Sequence, residues 1–234
     1  MEPLRRPLVK RARASSASLG RSGSAPPGHA SVRAATARER IDQTAYELFS
    51  VRGVRAVGID ELVARSGVAK MTLYRHYASK DQVALAFLRR RDEVWTRAWL
   101  QAEVERRADS PAEQLLAIFD LFDKWFRRAD FEGCAFINVL LETQPKSHPV
   151  RVAAVAHLAA IRSFLKGLAE RAGVADAEGF ARQWHIVMKG SIVAAGEGDK
   201  LAALRAREIG RLLLASRGIA IGKALQRGNM PVGR

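Results

Sequence analysis

The chain has 234 residues, 48% of them hydrophobic and 27% charged, with a mean hydropathy of −0.12. That is apolar material for one large domain, or for a small domain beside a larger one, in a soluble chain. The single cysteine, Cys134, excludes an internal disulfide framework and a cysteine-based zinc site, and no uninterrupted apolar run approaches the roughly 18 residues that read as a membrane span.

A net charge of +15 and a pI near 10.9 point towards nucleic acid. The charge is unevenly placed, however: residues 1–38 carry +7, residues 201–234 carry +6, and residues 39–200 only +2. Basic ends alone produce such totals, so a DNA-binding reading has to rest on positions inside the core.

Residues 1–35 are rich in Ser, Gly, Pro and Arg and lack apolar periodicity. They cannot bury enough surface to offset chain entropy, and we expect a disordered basic arm. They contain no apolar h-region of a secretory leader. Order is expected from Thr36, where Thr36 and Glu39 have capping-box spacing. Ile41, Ala45, Leu48 and Phe49 then form one apolar helical stripe, stopped at Gly53.

A short helix is expected over about 59–66, a turn at Gly67, and a third helix over about 70–77. Ser79 and Gln82 have capping-box spacing and open a long fourth helix reaching about Arg107. Ser110-Pro111-Ala112-Glu113 opens a fifth, with proline at the favoured first position. Further helices are expected over about 134–142, 149–172, 177–195 and 199–216. Nine helices with short connections and no strand alternation give an all-α fold. We expect a helix-turn-helix domain over 36–84, a ligand-binding and dimerisation domain over 85–217, and a flexible basic tail over 218–234.

The second and third helices have the spacing of a helix-turn-helix. At 100° per residue, Leu73 and Tyr77 share one side of the third helix, while Met71, Thr72, Tyr74 and Arg75 face away. Lys70 stands at the amino end and His76 on the margin. Such a face suits a major groove: arginine donates twice to guanine, threonine meets a thymine methyl, and methionine adds apolar contact. Tyr74, Lys70 and Lys80 are suited to phosphates. Only Asp81 supplies negative charge between Ala64 and Arg91, against seven Lys and Arg residues.

Residues 36–88 resemble the amino-terminal domain of TetR-family transcriptional regulators. The stretch Ile59 to Lys80 carries the resemblance, above all Gly67-Val68, Thr72-Leu73-Tyr74, His76-Tyr77 and Lys80. It implies a homodimeric helical repressor with an amino-terminal domain on a palindromic operator and a carboxy-terminal domain for a small inducer. By position, Lys70, Met71, Thr72, Tyr74, Arg75, His76 and Lys80 are then the DNA contacts. Two residues depart from the pattern. Gly58 stands where a hydroxyl residue often caps the second helix. Met71 stands where a small residue or proline is frequent, which alters the base preference to be expected.

In the carboxy-terminal half, Phe119, Phe122, Trp125, Phe126, Phe136, Trp184, His185 and Met188 are either plain core or the lining of an apolar inducer pocket. Asn138 and Glu142, one helical turn apart, are polar anchors or exposed surface. Small residues in the last two helices, among them Gly190, Ser191, Ala203 and Ala206, permit close helix approach, within the chain or against a second copy over about 177–216. No metal-ligand spacing, catalytic constellation or phosphate loop stands out, so no cofactor and no enzymatic activity are expected. The expectation is a cytoplasmic, ligand-responsive regulator with no membrane partner. The alternative is a helical dimer that binds a hydrophobic ligand without reading DNA.

Overall fold

The computed structural model describes residues 35–221. The arm expected over 1–35 and the tail expected over 218–234 lie outside it, apart from residues 35 and 218–221. Among the described residues there are nine helices and no strand. They are α1 Ala37–Ala56, α2 Ile59–Ser66, α3 Lys70–His76, a long α4, α5 Pro111–Phe126, α6 Ala135–Glu142, α7 Pro149–Arg171, α8 Ala177–Gly196 and α9 Ala202–Ala215. Helix α4 runs unbroken through Lys80–Arg91, a π-helical stretch Asp92–Gln101, and Ala102–Arg107.

Local chemistry explains most boundaries. At α1 the capping box closes in both directions: the Glu39 amide donates to Thr36 Oγ1 at 3.2 Å, and the Thr36 amide to Glu39 Oε2 at 2.7 Å. Gly53, at φ 77°, breaks α1 as expected, but a last turn resumes through Ala56. Ser79 caps α4 by accepting from the Gln82 amide. The Gln82 side chain accepts from Ala78 instead of Ser79, so this cap is not reciprocal. Helix α9 begins three residues later than expected, because the Asp199 carboxylate accepts from the Leu201 amide and holds a turn there.

Helices α1, α2 and α3 pack with the first half of α4 around Ile41, Phe49, Leu62, Leu73, Val83 and Leu88, all buried. Phe87 meets Phe49 edge-on at 5.5 Å. Beyond that, α5 packs on α7 and α9, and α8 lies against α7 and α9. Phe119, Phe122, Phe180 and Trp184 are fully enclosed there. Burying each such ring contributes about 1.5–3 kcal/mol.

Two expectations are revised. Averaged over a window, α7 reaches a hydropathy of 1.4 and the length of a membrane span, although no uninterrupted apolar run does. Its Val150, Ala154, Leu158, Ile161, Leu165 and Leu168 face the core of the bundle. The small residues Ala203 and Ala206 of α9 are buried within the chain. On the surface that α8 and α9 leave exposed, Gly190 and Gly196 stand with Ile186, Val193, Leu204, Ile209 and Leu212.

Gly210 lies directly against two core rings. A Cβ there would lie 2.7 Å from Trp184 Cη2 and 3.1 Å from Phe119 Cε2. Glycine costs about 1 kcal/mol against alanine inside a helix, so its place in α9 reflects the ring packed on it. Gly210→Ala is expected to lower unfolding stability by about 1–3 kcal/mol through overpacking. Gly167→Ala, whose Cβ meets only the end of Arg171 at 3.6 Å, is expected to raise it by up to about 1 kcal/mol. Urea unfolding of both variants at equal protein concentration checks the pair.

Candidate nucleic-acid interface and ligand cavities

Helix α3 has seven residues, too few to hold its shape alone. Two side chains fix it. Leu73 is fully buried and Tyr77 nearly so. The Tyr77 hydroxyl donates to the Asp42 carboxylate of α1, and the Arg38 guanidinium lies 5.4 Å over its ring. Burial, then the Asp42 contact, push the Tyr77 phenol up from its ordinary pKa. The turn before α3 depends on Gly67, left-handed at φ 64° and ψ 29°, whose amide donates to Val63 O at 3.1 Å.

The opposite face of α3 is open. Met71 is 73% exposed and Tyr74 40%, with Arg75 and His76 also exposed. Thr72 is half-buried and accepts from Arg75 at 3.3 Å, so that guanidinium folds along its own helix. Among the described residues neither Arg65 nor Arg75 has a carboxylate partner. Lys70 does: its Nζ lies 2.8 Å from Asp60 Oδ1, and this hydrogen bond raises its pKa. Lys80 also turns inward. Its Nζ donates to the Arg55 carbonyl at 3.3 Å, and burial lowers its pKa. Gly58 gives α2 no side-chain cap, as its lack of a hydroxyl implies.

Glu142 has a role that its sequence position did not reveal. Its Oε2 accepts from the Arg55 amide at 3.1 Å, capping the turn of α1 that resumes after Gly53. A Cβ on Gly53 would fall 2.2 Å from Glu142 Oε1. The contact therefore needs a glycine for two reasons, the positive φ and the close approach. Nearby, His148 Nε2 lies 3.3 Å from Asp81 Oδ2, joining the start of α7 to the start of α4.

The carboxy-terminal aromatic residues separate into groups. Phe119 stacks near Trp184 at 5.3 Å as solid core, with Trp184 Nε1 buried and unpaired. Phe136 stacks on His157 at 5.0 Å. Asn138 donates to the Glu132 carbonyl at 3.2 Å and braces the α5–α6 loop. Phe122, His185 and Met188 do line a cavity, together with Trp95, Cys134 and Leu158. It is small, at about 10 Å³. Burial first, then Lys189 and Arg162, lower the His185 pKa from 6.5 to about 3, and its Nδ1 has no partner. The ring is a neutral imidazole in an apolar wall.

A much larger cleft, about 500 Å³, opens between α1, the π-helical part of α4 and the α5–α6 loop. Of the residues expected to line a pocket it contains only Trp125. Tyr46, Arg91, Trp95 and Trp99 are its other principal walls. The Trp95–Trp99 spacing of one helical turn was the available signal, but it also fits ordinary core.

Comparison with known proteins agrees with this geometry. Residues 41–87 match the family model described as bacterial regulatory proteins, tetR family. The HTH-type transcriptional activator FasR of Mycolicibacterium smegmatis is 48% identical over 46 residues, 20% of this chain and 21% of that protein. The HTH-type transcriptional regulator LmrA of Bacillus subtilis is 30% identical over 118 residues, covering 50% and 62%. The chain thus aligns with less than two thirds of the length of these curated relatives. A TetR-family transcriptional regulator from Streptomyces coelicolor has a similar structure, with a TM-score of 0.71 and 28% identity over 77% of this chain and 95% of that one. A second, from Streptomyces avermitilis and titled as a tetr-transcriptional regulator, has the same score and identity over 80% and 100%.

His185 yields a pH prediction. Its folded pKa lies below the unfolded value, so the unfolded chain binds the extra proton first. The associated stability is complete above pH 6.5 and is lost as pH falls towards 3. Between pH 7 and pH 5, His185→Leu is expected to remove about 2 kcal/mol of acid destabilisation. Denaturant midpoints at the two pH values measure it. Equal pH slopes in the two proteins would show that the ring is already solvated.

Proposed function

Because the chain belongs to the TetR family of transcriptional regulators, we propose that it binds a palindromic operator as a homodimer and is released by a small, largely apolar inducer. The observation that carries this reading is the two-sided character of α3. Leu73 and Tyr77 anchor one side, while Met71, Tyr74 and Arg75 stand exposed on the other. Arg75, Thr72 and Met71 read base edges, and Tyr74, His76, Lys70 and Lys80 position the helix on phosphates. Before contacting phosphate, Lys70 has to leave Asp60 and Lys80 has to leave the Arg55 carbonyl.

In this reading residues 36–84 form the DNA-binding domain and 85–217 the ligand-binding and dimerisation domain. The partner surface is the apolar face of α8 and α9 around Ile186, Leu204, Ile209 and Leu212, whose exposure in one chain supports a covering copy. The protein acts in the cytoplasm, as a repressor that occupies its operator.

The inducer site is the cavity between Phe122, His185, Met188 and Trp95, with Trp125, Phe126, Phe136, Phe119, Trp184 and Asn138 as surrounding support. Its volume, about 10 Å³, leaves room for about one water molecule at most. A ligand therefore enters only by displacing walls, and Trp95 belongs to the helix that also buries Val83, Phe87 and Leu88 beside α3. Binding shifts the population towards a conformer with differently placed recognition helices. By linkage, operator DNA weakens inducer binding to the same degree, typically by about 1–3 kcal/mol.

Arg75→Ala is expected to cost about 1–3 kcal/mol of operator affinity and to relax preference at the base pair it contacts. Quantitative binding to the operator and its single-base variants tests this. Unchanged preference at every position would remove Arg75 from base readout, and absence of any preference in the parent protein would favour a ligand-binding helical dimer instead.

A further inference from the structure

A cleft of about 500 Å³ lies apart from the inducer cavity proposed above. It opens on the other side of Trp95, at the junction of α1, α4 and the α5–α6 loop. Its walls are unusual for a surface that merely faces water. Trp95 and Trp99 are both only partly buried, and their rings lie 5.3 Å apart. Trp125 closes the inner side, 4.8 Å from Trp95. Tyr46 supplies the wall from α1. Three indoles and a phenol around about 500 Å³ form a volume of the size that small-molecule sites occupy.

Half of the lining residues are polar, and most of these are paired: Gln43 donates to Glu47 and accepts from Arg90 at 2.6 Å. Arg128 and Asp130 satisfy one another at 2.7 Å. Arg91 donates to the Tyr46 hydroxyl at 3.0 Å and lies over the Tyr46 and Trp95 rings, at 5.7 and 5.9 Å. Arg90 also lies over the Tyr46 ring, at 4.9 Å, so among these partly buried rings Trp99 is the wall that no guanidinium of the described residues covers. Ser50 also lines the cleft, but its Oγ is buried beneath the surface.

From the aromatic walls and the volume, we propose that this cleft is a second ligand site, for a planar heteroaromatic molecule of two or three fused rings. The molecule stacks on Trp99 and meets the tilted ring of Trp95 at its edge. Flatness is the selecting property, because rings bind through offset or edge-on faces and a puckered apolar molecule cannot use them. The site draws on α1 on one side and on α4 and the α5–α6 loop on the other, so its occupant bridges these elements directly. It shares Trp95 with the inducer cavity, whereas Trp99 and Tyr46 line this cleft alone of the two.

The test uses the full chain and lumiflavin, an uncharged three-ring probe whose emission is quenched when it stacks on tryptophan. Saturable quenching at micromolar protein is expected. Trp99→Ala, which removes one wall, is expected to weaken it about tenfold. Val94→Arg places a long side chain at the cleft from a position already 48% exposed. It leaves the core intact and is expected to weaken binding at least as much. Dicyclohexyl ketone, apolar but puckered, is expected not to displace the probe. The proposal is overturned by absence of saturable quenching, by quenching that survives both substitutions, or by displacement with the ketone.

Discussion

The seam between α1 and the first half of α4 sets the position of the exposed face of α3. Ile41, Ala45 and Phe49 close on Val83, Ala84, Phe87 and Leu88, and all are buried. The seven residues of α3 have no independent stability. They hold their angle because Leu73 inserts into this seam and Asp42 of α1 takes the Tyr77 hydroxyl. Orientation of the exposed face is thus a property of α1 and α4 more than of α3. Because α4 continues unbroken to Arg107, its far end belongs to the same rigid element.

The junction of the two halves is polar where the seam is apolar. Glu142 caps the resumed turn of α1, Lys80 holds the Arg55 carbonyl, and Asp81 faces His148. Each of these contacts is half-exposed or worth only about 1–2 kcal/mol, whereas the apolar seam and the packing of α5 against α9 belong to one continuous buried core. Trp95 lies where the two meet, in a π-helical stretch of a kind frequent at functional positions, with one cavity on each side.

Much of the fold was legible because its signals are local. The Thr36 box, Gly67, the Ser110-Pro111 start and the 3.6-residue stripes each fix one boundary through nearby chemistry. The inward pair Leu73 and Tyr77 followed from angle alone. The parts that were not legible depend on partners distant in sequence. Nothing at Glu142 announces an amide 87 residues away. Lys70 and Lys80 read as free cations until Asp60 and Arg55 are placed beside them. The aromatic residues of α5 and α8 look alike in sequence, yet Phe119 and Trp184 are locked on Gly210 while Phe122 borders a cavity. Only the three-dimensional neighbours separate packing from lining, and the π-helical stretch escapes any reading based on a 3.6-residue period.

The most direct test of the account is selection of bound sequences from random duplex DNA with the purified chain at about 150 mM salt, where weak non-specific phosphate contacts are screened. Enrichment of a two-fold symmetric site, with half-sites about one helical turn apart, is the predicted result, and Arg75→Ala should loosen one position in each half. Binding without enrichment, vanishing as salt rises, would contradict it: the affinity would then belong to the basic ends of the chain, and the exposed face of α3 would not read sequence.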